Sequence, residues 1–396
     1  MRINRGAARL LVLAVLSTGV VDVLGTAPGS AASGPGTGMP ALDSVLAEQF
    51  ARSPAVPGIA ARVDAPGLRW ERAVGKADRA TGTPLVAGNT FRIASVTKTF
   101  TAAAVLTLVD QRRVNLDAAV ARYLSPPYLE LLRRGGYDPD LITVRMLLDH
   151  TSGLYDYATD DSYRETALTD LHRHWLPTEQ IGWAMDHGHP YGAPGALFHY
   201  SDTGYVLLAR IVESVTGTAQ AAAYRRLLRY DRLGLTATWF ETLEPAPPTA
   251  GARAHQYYVD PAADLDLDAY TADPSFDLYG GGGLVSSVAD LTRFYRALLD
   301  GRVLSRAALR TMLTLVPAAD GDGAGMGIFP RRIEGMTCWW HNGFWGSAVL
   351  YCPQRRLAVA VTVNAFTADR TTPTALADAV ALATAASKSA PGPVKR

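Results

Sequence analysis

Segments with the alternation of β-strands gather at the two ends of this chain, and helical spacing fills the stretch between them. Near the start, Ile59–Val63 and Leu68–Val74 flank the turn-forming Asp64-Ala65-Pro66-Gly67 and read as a hairpin. Near the finish, Arg332–His341, Gly346–Tyr351 and Leu357–Asn364 read as three strands. Joining the hairpin to these three gives one five-stranded antiparallel sheet built from both ends of the chain, with helices packed on it. Helical segments are expected at Leu42–Phe50, at Leu291–Leu299 behind a capping box of Ser287 and Asp290, and at Pro373–Ala386. An Ala-rich helix runs from Ser95 to about Asp110, and shorter ones recur at Val144–Leu148, Ile181–Asp186, Tyr205–Thr216 and Ala221–Leu228. The expected class is α+β, with a discontinuous sheet domain (41–94 and 280–386), a mainly helical domain inserted at 95–279, a flexible leader at 33–40 and a flexible tail at 387–396.

The 396 residues carry 38 Lys plus Arg against 37 Asp plus Glu. So balanced a chain has no field for gripping phosphates, which argues against a nucleic-acid partner. Two cysteines cannot staple a small scaffold or make a four-thiolate zinc site. Outside the N-terminus no stretch reaches the roughly 18 apolar residues of a spanning helix. At the N-terminus, Arg2, Arg5 and Arg9 precede an apolar run from Leu10 to Val21, followed by Ser30-Ala31-Ala32. That order is a secretory signal peptide over residues 1–32, so the protein is expected to be secreted.

Lysine is scarce: Lys76, Lys98, Lys388 and Lys395 are the only four, and arginine serves the surface instead. Unlike arginine, a lysine held in an apolar helix can lose its proton. With 18 serines and four lysines, about 0.2 chance matches to S-x-x-K are expected; Ser95-Val96-Thr97-Lys98 is the one present. Residues three apart share a helix face, so the Lys98 amine can sit beside the Ser95 hydroxyl. Ile93, Ala94, Val96 and Phe100 around them predict a desolvated, neutral amine able to take the serine proton. A second cluster, Tyr200-Ser201-Asp202, is expected on a loop ahead of a helix starting near Tyr205, where a phenol could relay a proton if a cation favours its ionised form. A third, His341-Asn342-Gly343, ends a strand at a turn where glycine admits close backbone approach and amides can bind an oxyanion.

The order S-x-x-K, Tyr200 to Asp202, then His341 to Gly343 resembles the penicillin-recognising serine hydrolases, the branch of class C β-lactamases, serine esterases and D-alanyl-D-alanine carboxypeptidases. Ala77 to Gly82, Phe91-Arg92-Ile93, His150 to Leu154 and Gly281 to Leu284 look like that family too. The resemblance implies a β-lactamase/DD-peptidase-like fold and acyl transfer: Ser95 as nucleophile, Lys98 and Tyr200 sharing its proton, and His341 orienting the phenol side of the cleft. It places Asp202, Asn342, Gly343 and Phe344 at the substrate, with the backbone N–H groups of Ser95 and Phe344 as oxyanion hole. No cofactor or metal is implied. The substrates implied are small acyl or peptide donors, peptidoglycan stem peptides first, with β-lactams as inhibitors. Esters, D-amino peptides and β-lactams are alternative substrates, and a non-catalytic penicillin-binding sensor is an alternative of another class.

Two departures bear on the substrate. Asp202 stands where the family usually has Asn, and its charge is expected to favour protonated Lys98, shifting the base role to Tyr200 or selecting a substrate with an amine. Phe344 and Phe329 stand where carboxypeptidases carry the Thr and Arg that hold a free carboxylate; Arg331 or Arg332 could substitute, while Trp339, Trp340, Phe344 and Trp345 suit an apolar group. Cys338 and Cys352 lie on strands that pair across the turn near Trp345, so a disulfide is expected in an exported protein. His172, His174, His187 and His189, beside Asp170 and Asp186, lack the H-E-x-x-H arrangement of a metal centre.

Overall fold

The computed structural model describes residues 39–260, 264–318, 321–367 and 372–387. The expected signal peptide and nearly all of the expected leader and tail lie outside these. The chain begins with α1 (Pro40–Arg52) and the hairpin β1 (Gly58–Ala65) and β2 (Leu68–Gly75). Strand β3 (Phe91–Arg92) leads through a 3-10 turn at Ala94–Val96 into α2 (Thr97–Asp110). The helical stretch follows: α3 (Pro126–Arg134), α4 (Val144–Leu148), α5 (Asp161–Thr169), α6 (Pro177–His187), α7 (Asp202–Thr216), α8 (Gln220–Leu227) and α9 (Tyr230–Leu233). Short strands β4 (Trp239–Phe240), β5 (Tyr257–Asp260), β6 (Leu265–Asp268) and β7 (Leu284–Ser286) precede α10 (Val288–Leu299) and α11 (Arg306–Met312). The chain closes with β8 (Phe329–Ile333), β9 (Met336–Gly343), β10 (Ser347–Cys352), β11 (Leu357–Val363), β12 (Ala365–Thr367) and α12 (Thr372–Ser387).

The main sheet has the order β2-β1-β11-β10-β9-β8, antiparallel throughout, so the two ends of the chain do meet, with Ile59 opposite Val363 and Val63 opposite Val359. It has six strands where five were expected. The stretch from Arg332 to His341 is not one strand but parts of two, because Ile333 pairs with Met336 around Glu334 (φ +47°) and Gly335 (φ +73°). Both turn residues adopt the left-handed conformation of a two-residue hairpin, and glutamate at the first gives no local signal for it.

Strand β11 is buried along its whole length, which explains a run that is apolar but for Thr362. Leu357, Val359, Val361 and Val363 face a layer of α1 and α12 with Leu42, Leu46, Leu376 and Val380. Ala358 and Ala360 face the opposite layer, where Leu291 and Phe294 of α10 pack. The sheet is thus the middle of three layers, and its inner side meets the helical stretch that carries α2. Helix α2 is buried on nearly every side, and its Phe100 ring stacks on Phe294 at 3.7 Å. At the start of α10, Ser287 caps as expected by accepting from the Asp290 N–H at 3.1 Å. The Asp290 carboxylate turns away, to Ala237 N and Thr238 Oγ1, so only half of the capping box forms. A disulfide joins Cys338 of β9 to Cys352 of β10. Among the described residues no helix is long and apolar enough to cross a membrane.

Candidate active site

Ser95 sits where strand β3 turns into helix α2. Arg92 anchors the approach: buried, it pairs with Glu241 at 2.6 Å and donates to the carbonyls of Ala269 and Ala272. Gln256 brackets the same residue, accepting from Arg92 N at 2.8 Å and donating to the carbonyls of Arg92 and Trp345. Ala94 then takes φ +44°, a conformation disfavoured for a residue with a Cβ, immediately before the serine. Across residues 91–100 only Ser95 keeps appreciable solvent access. A rigid, strained turn therefore presents one hydroxyl.

One helical turn on, Lys98 is fully buried, and its Nζ donates to Ser95 Oγ at 3.0 Å and to the Gly281 carbonyl at 2.9 Å. It also donates to Asp202 Oδ1. The glycine is required, since a Cβ on Gly281 would lie 2.3 Å from Asp202 Oδ1. Desolvation, the largest influence on Lys98, pulls its pKa down, as the apolar flanks suggest. Asp202, Tyr200 and Asp277 together outweigh it and leave the pKa above the ordinary lysine value. The resting amine is protonated, which corrects the expectation of a neutral lysine and agrees with the effect expected of Asp202.

Helix α7 starts at Asp202 rather than near Tyr205, so Asp202 lies in its first turn. Its backbone N–H donates to Asp156 Oδ1 at 3.0 Å. Asp156 is wholly buried, and its Oδ2 has no hydrogen-bond partner among the described residues. Burial first, then the charge of Asp202, pushes the Asp156 pKa up to about 8. The same two influences push Asp277 up to about 7. A Cβ on Gly282 would lie 2.3 Å from either Asp277 oxygen, so the glycine run lets two carboxyl groups press against the backbone. Three carboxyls thus surround one amine. No sequence signal marks Asp156 or Asp277, because each comes from a different loop with no local spacing to tie it to the site.

The Tyr200 ring lies beside Lys98, with Nζ 4.9 Å from its centroid. Burial raises the phenol pKa, while Lys98 and the Ser95 hydroxyl favour ionisation without prevailing. Its ring stacks on the imidazole of His150 at 4.4 Å. His341 closes another side of the site, with its ring 6.5 Å from that of Tyr200. His341 Nδ1 meets the Asn342 carbonyl at 2.7 Å, and burial first, then Lys98, pushes its pKa down to about 3. The ring is therefore neutral, with Nδ1 the donor and Nε2 a buried lone pair unpartnered among the described residues. Gly343 lets the end of β9 lie against the turn that carries Ser95: a Cβ there would come within 2.1 Å of the Ile93 carbonyl. Ser347 Oγ donates to that carbonyl at 2.9 Å. Ser95, Lys98, Tyr200, Asp202, His341 and Gly343 are thus brought together.

Other expected groups lie elsewhere. Arg331 is committed to Asp378 of α12 at 2.7 Å, and Arg332 to Thr337 at 2.5 Å across its own hairpin. Neither replaces the carboxylate anchor, which corrects that expectation. Phe329 instead packs 5.2 Å from His341. Trp339 and Trp340 take opposite faces of β9, Trp340 toward the α1/α12 layer, whereas Trp345, in the turn after β9, joins Ala94, Phe276 and Phe344 next to the nucleophile. Phe344 also stacks on Phe366 at 4.3 Å. His172, His174, His187 and His189 are exposed, with His174 against Asp273 and His187 on the Trp183 ring.

Residues 45–383 match the family model described as Beta-lactamase. Penicillin-binding protein 4* of Bacillus subtilis is 27% identical over 64% of this chain, which spans only 55% of that protein. Penicillin-binding protein 4 of Amycolatopsis lactamdurans is 30% identical, covering 75% of this chain and 77% of its own length. Esterase EstB of Burkholderia gladioli is 29% identical over 74% of this chain and 79% of its own. Among solved structures, a D-stereospecific amidohydrolase from Streptomyces sp. superposes with a TM-score of 0.71 at 30% identity, covering 82% of this chain and 94% of that one.

Proposed function

The chain belongs to the beta-lactamase family, and from that premise we propose that it is an exported serine hydrolase working through an acyl-serine intermediate at Ser95. The observation that carries this is the hydrogen bond from Lys98 to Ser95 on a strained, anchored turn inside a ring of acids. The proton inventory constrains the mechanism. Lys98 and Tyr200 both hold protons at rest, so a base for the serine appears only when the cluster gives one up. Asp202, bonded to Lys98 Nζ, holds that proton on the lysine, so the cluster has to release one to solvent before the amine is free. The freed amine, or the phenol relayed through it, then takes the Ser95 proton as Oγ attacks the substrate carbonyl. The oxyanion is received by the backbone N–H groups of Ser95 and Phe344. Collapse expels an amine or alcohol that regains the proton, and water repeats the sequence to release the acid.

The substrate proposed first is the amide of a D-amino acid or a short D-peptide with a free amine. Its support is the acid cluster, the Trp345 and Phe344 aromatic wall, the commitment of Arg331 to Asp378, and the likeness to the D-stereospecific amidohydrolase. A second reading, D-alanyl-D-alanine carboxypeptidase or transpeptidase action on peptidoglycan stem peptides with β-lactams as inhibitors, draws on the penicillin-binding relatives. Ester cleavage draws on Esterase EstB. Export is supported by the signal-peptide pattern from Arg2 to Ala32 and by the disulfide.

The deciding experiment gives the protein and its Ser95→Ala form a D-amino-acid amide, D-alanyl-D-alanine, a p-nitrophenyl ester and a labelled β-lactam. We expect amide turnover that the alanine form loses by at least about 1,000-fold. Dipeptide turnover alone would move the assignment to a carboxypeptidase, and stable β-lactam label without turnover to a sensor. Equal activity of both forms would refute an acyl-serine.

A further inference from the structure

The turn after α4 runs alongside the loop that delivers Tyr200. Gly153 O, Thr151 O and His150 O accept the N–H groups of Tyr191, Gly195 and His199 at 2.9, 2.7 and 2.8 Å. His150 goes further than the others, because it engages three successive residues. Its carbonyl takes the His199 N–H, its Nδ1 accepts the Ser201 N–H at 3.1 Å, and its ring lies on the Tyr200 ring at 4.4 Å and 22°. The residue takes φ +60° and is 1% exposed. Its Nε2 is buried without a hydrogen-bond partner among the described residues. An imidazole placed for hydrogen bonding alone would not leave that nitrogen bare; here the ring's orientation follows the neighbouring tyrosines, Tyr200 and, at 4.9 Å, Tyr205.

We infer that His150 is a positioning residue for the proposed reaction: carbonyl, Nδ1 and ring face grip residues 199, 201 and 200, and so hold the Tyr200 phenol beside Ser95 and Lys98. The inference rests on the acyl-serine reading above. Tyr200 needs such a grip because regular helix begins only at Asp202, so no backbone ladder fixes the loop residue itself. Nδ1 can accept the Ser201 N–H only while it carries no proton. Burial first, with the nearby charge of Lys98, keeps it so by holding the His150 pKa well below the ordinary histidine value.

The test is a double-mutant cycle on the full chain, with p-nitrophenyl ester turnover as the readout. His150→Asn tolerates the left-handed backbone and keeps an acceptor but has no ring; His150→Phe keeps a ring but no acceptor. With Tyr200 present, each is expected to lower kcat by about 10- to 100-fold while KM changes by less than about threefold. In a Tyr200→Phe background the same substitutions should change kcat by less than about twofold, since there is no phenol left to place. If turnover in that background is too slow, the rate at which a fluorophosphonate captures Ser95 replaces it. Equal losses in both backgrounds would show a merely structural residue and overturn the inference, as would no loss with Tyr200 present. A Ser95→Ala form that still turns over the ester would instead sink the acyl-serine reading, an outcome distinct from failure of the grip alone. Should His150→Phe not fold, His150→Asn completes the cycle.

Discussion

At the scale of single residues, the site is governed by one amine bonded to one carboxylate, with two further buried carboxyls inside its field. Asp202 is the pivot, since it raises the pKa of Lys98 by attraction and those of Asp156 and Asp277 by repulsion. If the reaction waits for this cluster to release a proton, kcat/KM should climb with pH across about 7 to 8, the values to which Asp277 and Asp156 are pushed. Replacing Asp202 by Asn removes a charge that raises all three groups, so the acid limb of the pH–rate profile should move to lower pH. An unshifted limb would deny Asp202 this role. Asp156 also bears on stability. Its carboxyl is raised from 3.8 to about 8 in the folded protein, so the proton it holds stabilises the fold below about pH 4 and that contribution fades as pH rises to 8. Within that window the loss is at most about 1.4 kcal/mol per pH unit. Asp156→Asn keeps an oxygen for the Asp202 and Ala158 N–H groups and cannot ionise. Its Tm should therefore fall less than that of the wild type between pH 5.5 and 8.5, as differential scanning calorimetry would show.

Among the elements, the glycine run before β7 is the one whose shape serves the site most directly. Gly281→Ala would place a methyl group 2.3 Å from Asp202 Oδ1, close enough to force that carboxylate away from Lys98. Its backbone is not left-handed, so the cost should fall on activity: kcat/KM lower by at least about tenfold, with Tm changed by only a few degrees. Circular dichroism melts beside ester kinetics would separate the two. The same scale shows why part of the molecule was legible in its sequence. Ser95 and Lys98 sit one helical turn apart, so spacing alone predicts that they meet. The hairpin of β8 and β9 turns on Glu334, whose conformation follows from the strands it joins and not from its own preference. Asp202 reads as a loop residue yet opens α7, with its N–H given to Asp156 instead of a cap of its own. His150, Asp156 and Asp277 reach the site from separate turns, and only the tertiary fold makes them neighbours.

Over the whole molecule, both ends of the chain are needed to complete the core. Strand β11 is held between β1 and β10, and α12 seals the outer face of the sheet over Val359 and Val361. Burying each of Leu376 and Val380 contributes about 1.5–3 kcal/mol. Ending the chain at residue 367 should therefore cost at least about 3 kcal/mol by urea titration, with Ser95 reactivity lost in the same transition because β9 and β10 hold the turn before Ser95 through Gly343 and Ser347. A cut form that kept full stability would contradict the three-layer description. The pairing of β1 with β11 has a consequence in time as well as in space. A growing polypeptide that has left the ribosome only as far as α10 holds the nucleophile, the lysine and the tyrosine but lacks four of the six strands that support them. Until the last strand is synthesised, the cell carries a chain whose hydrolytic machinery has no floor to stand on.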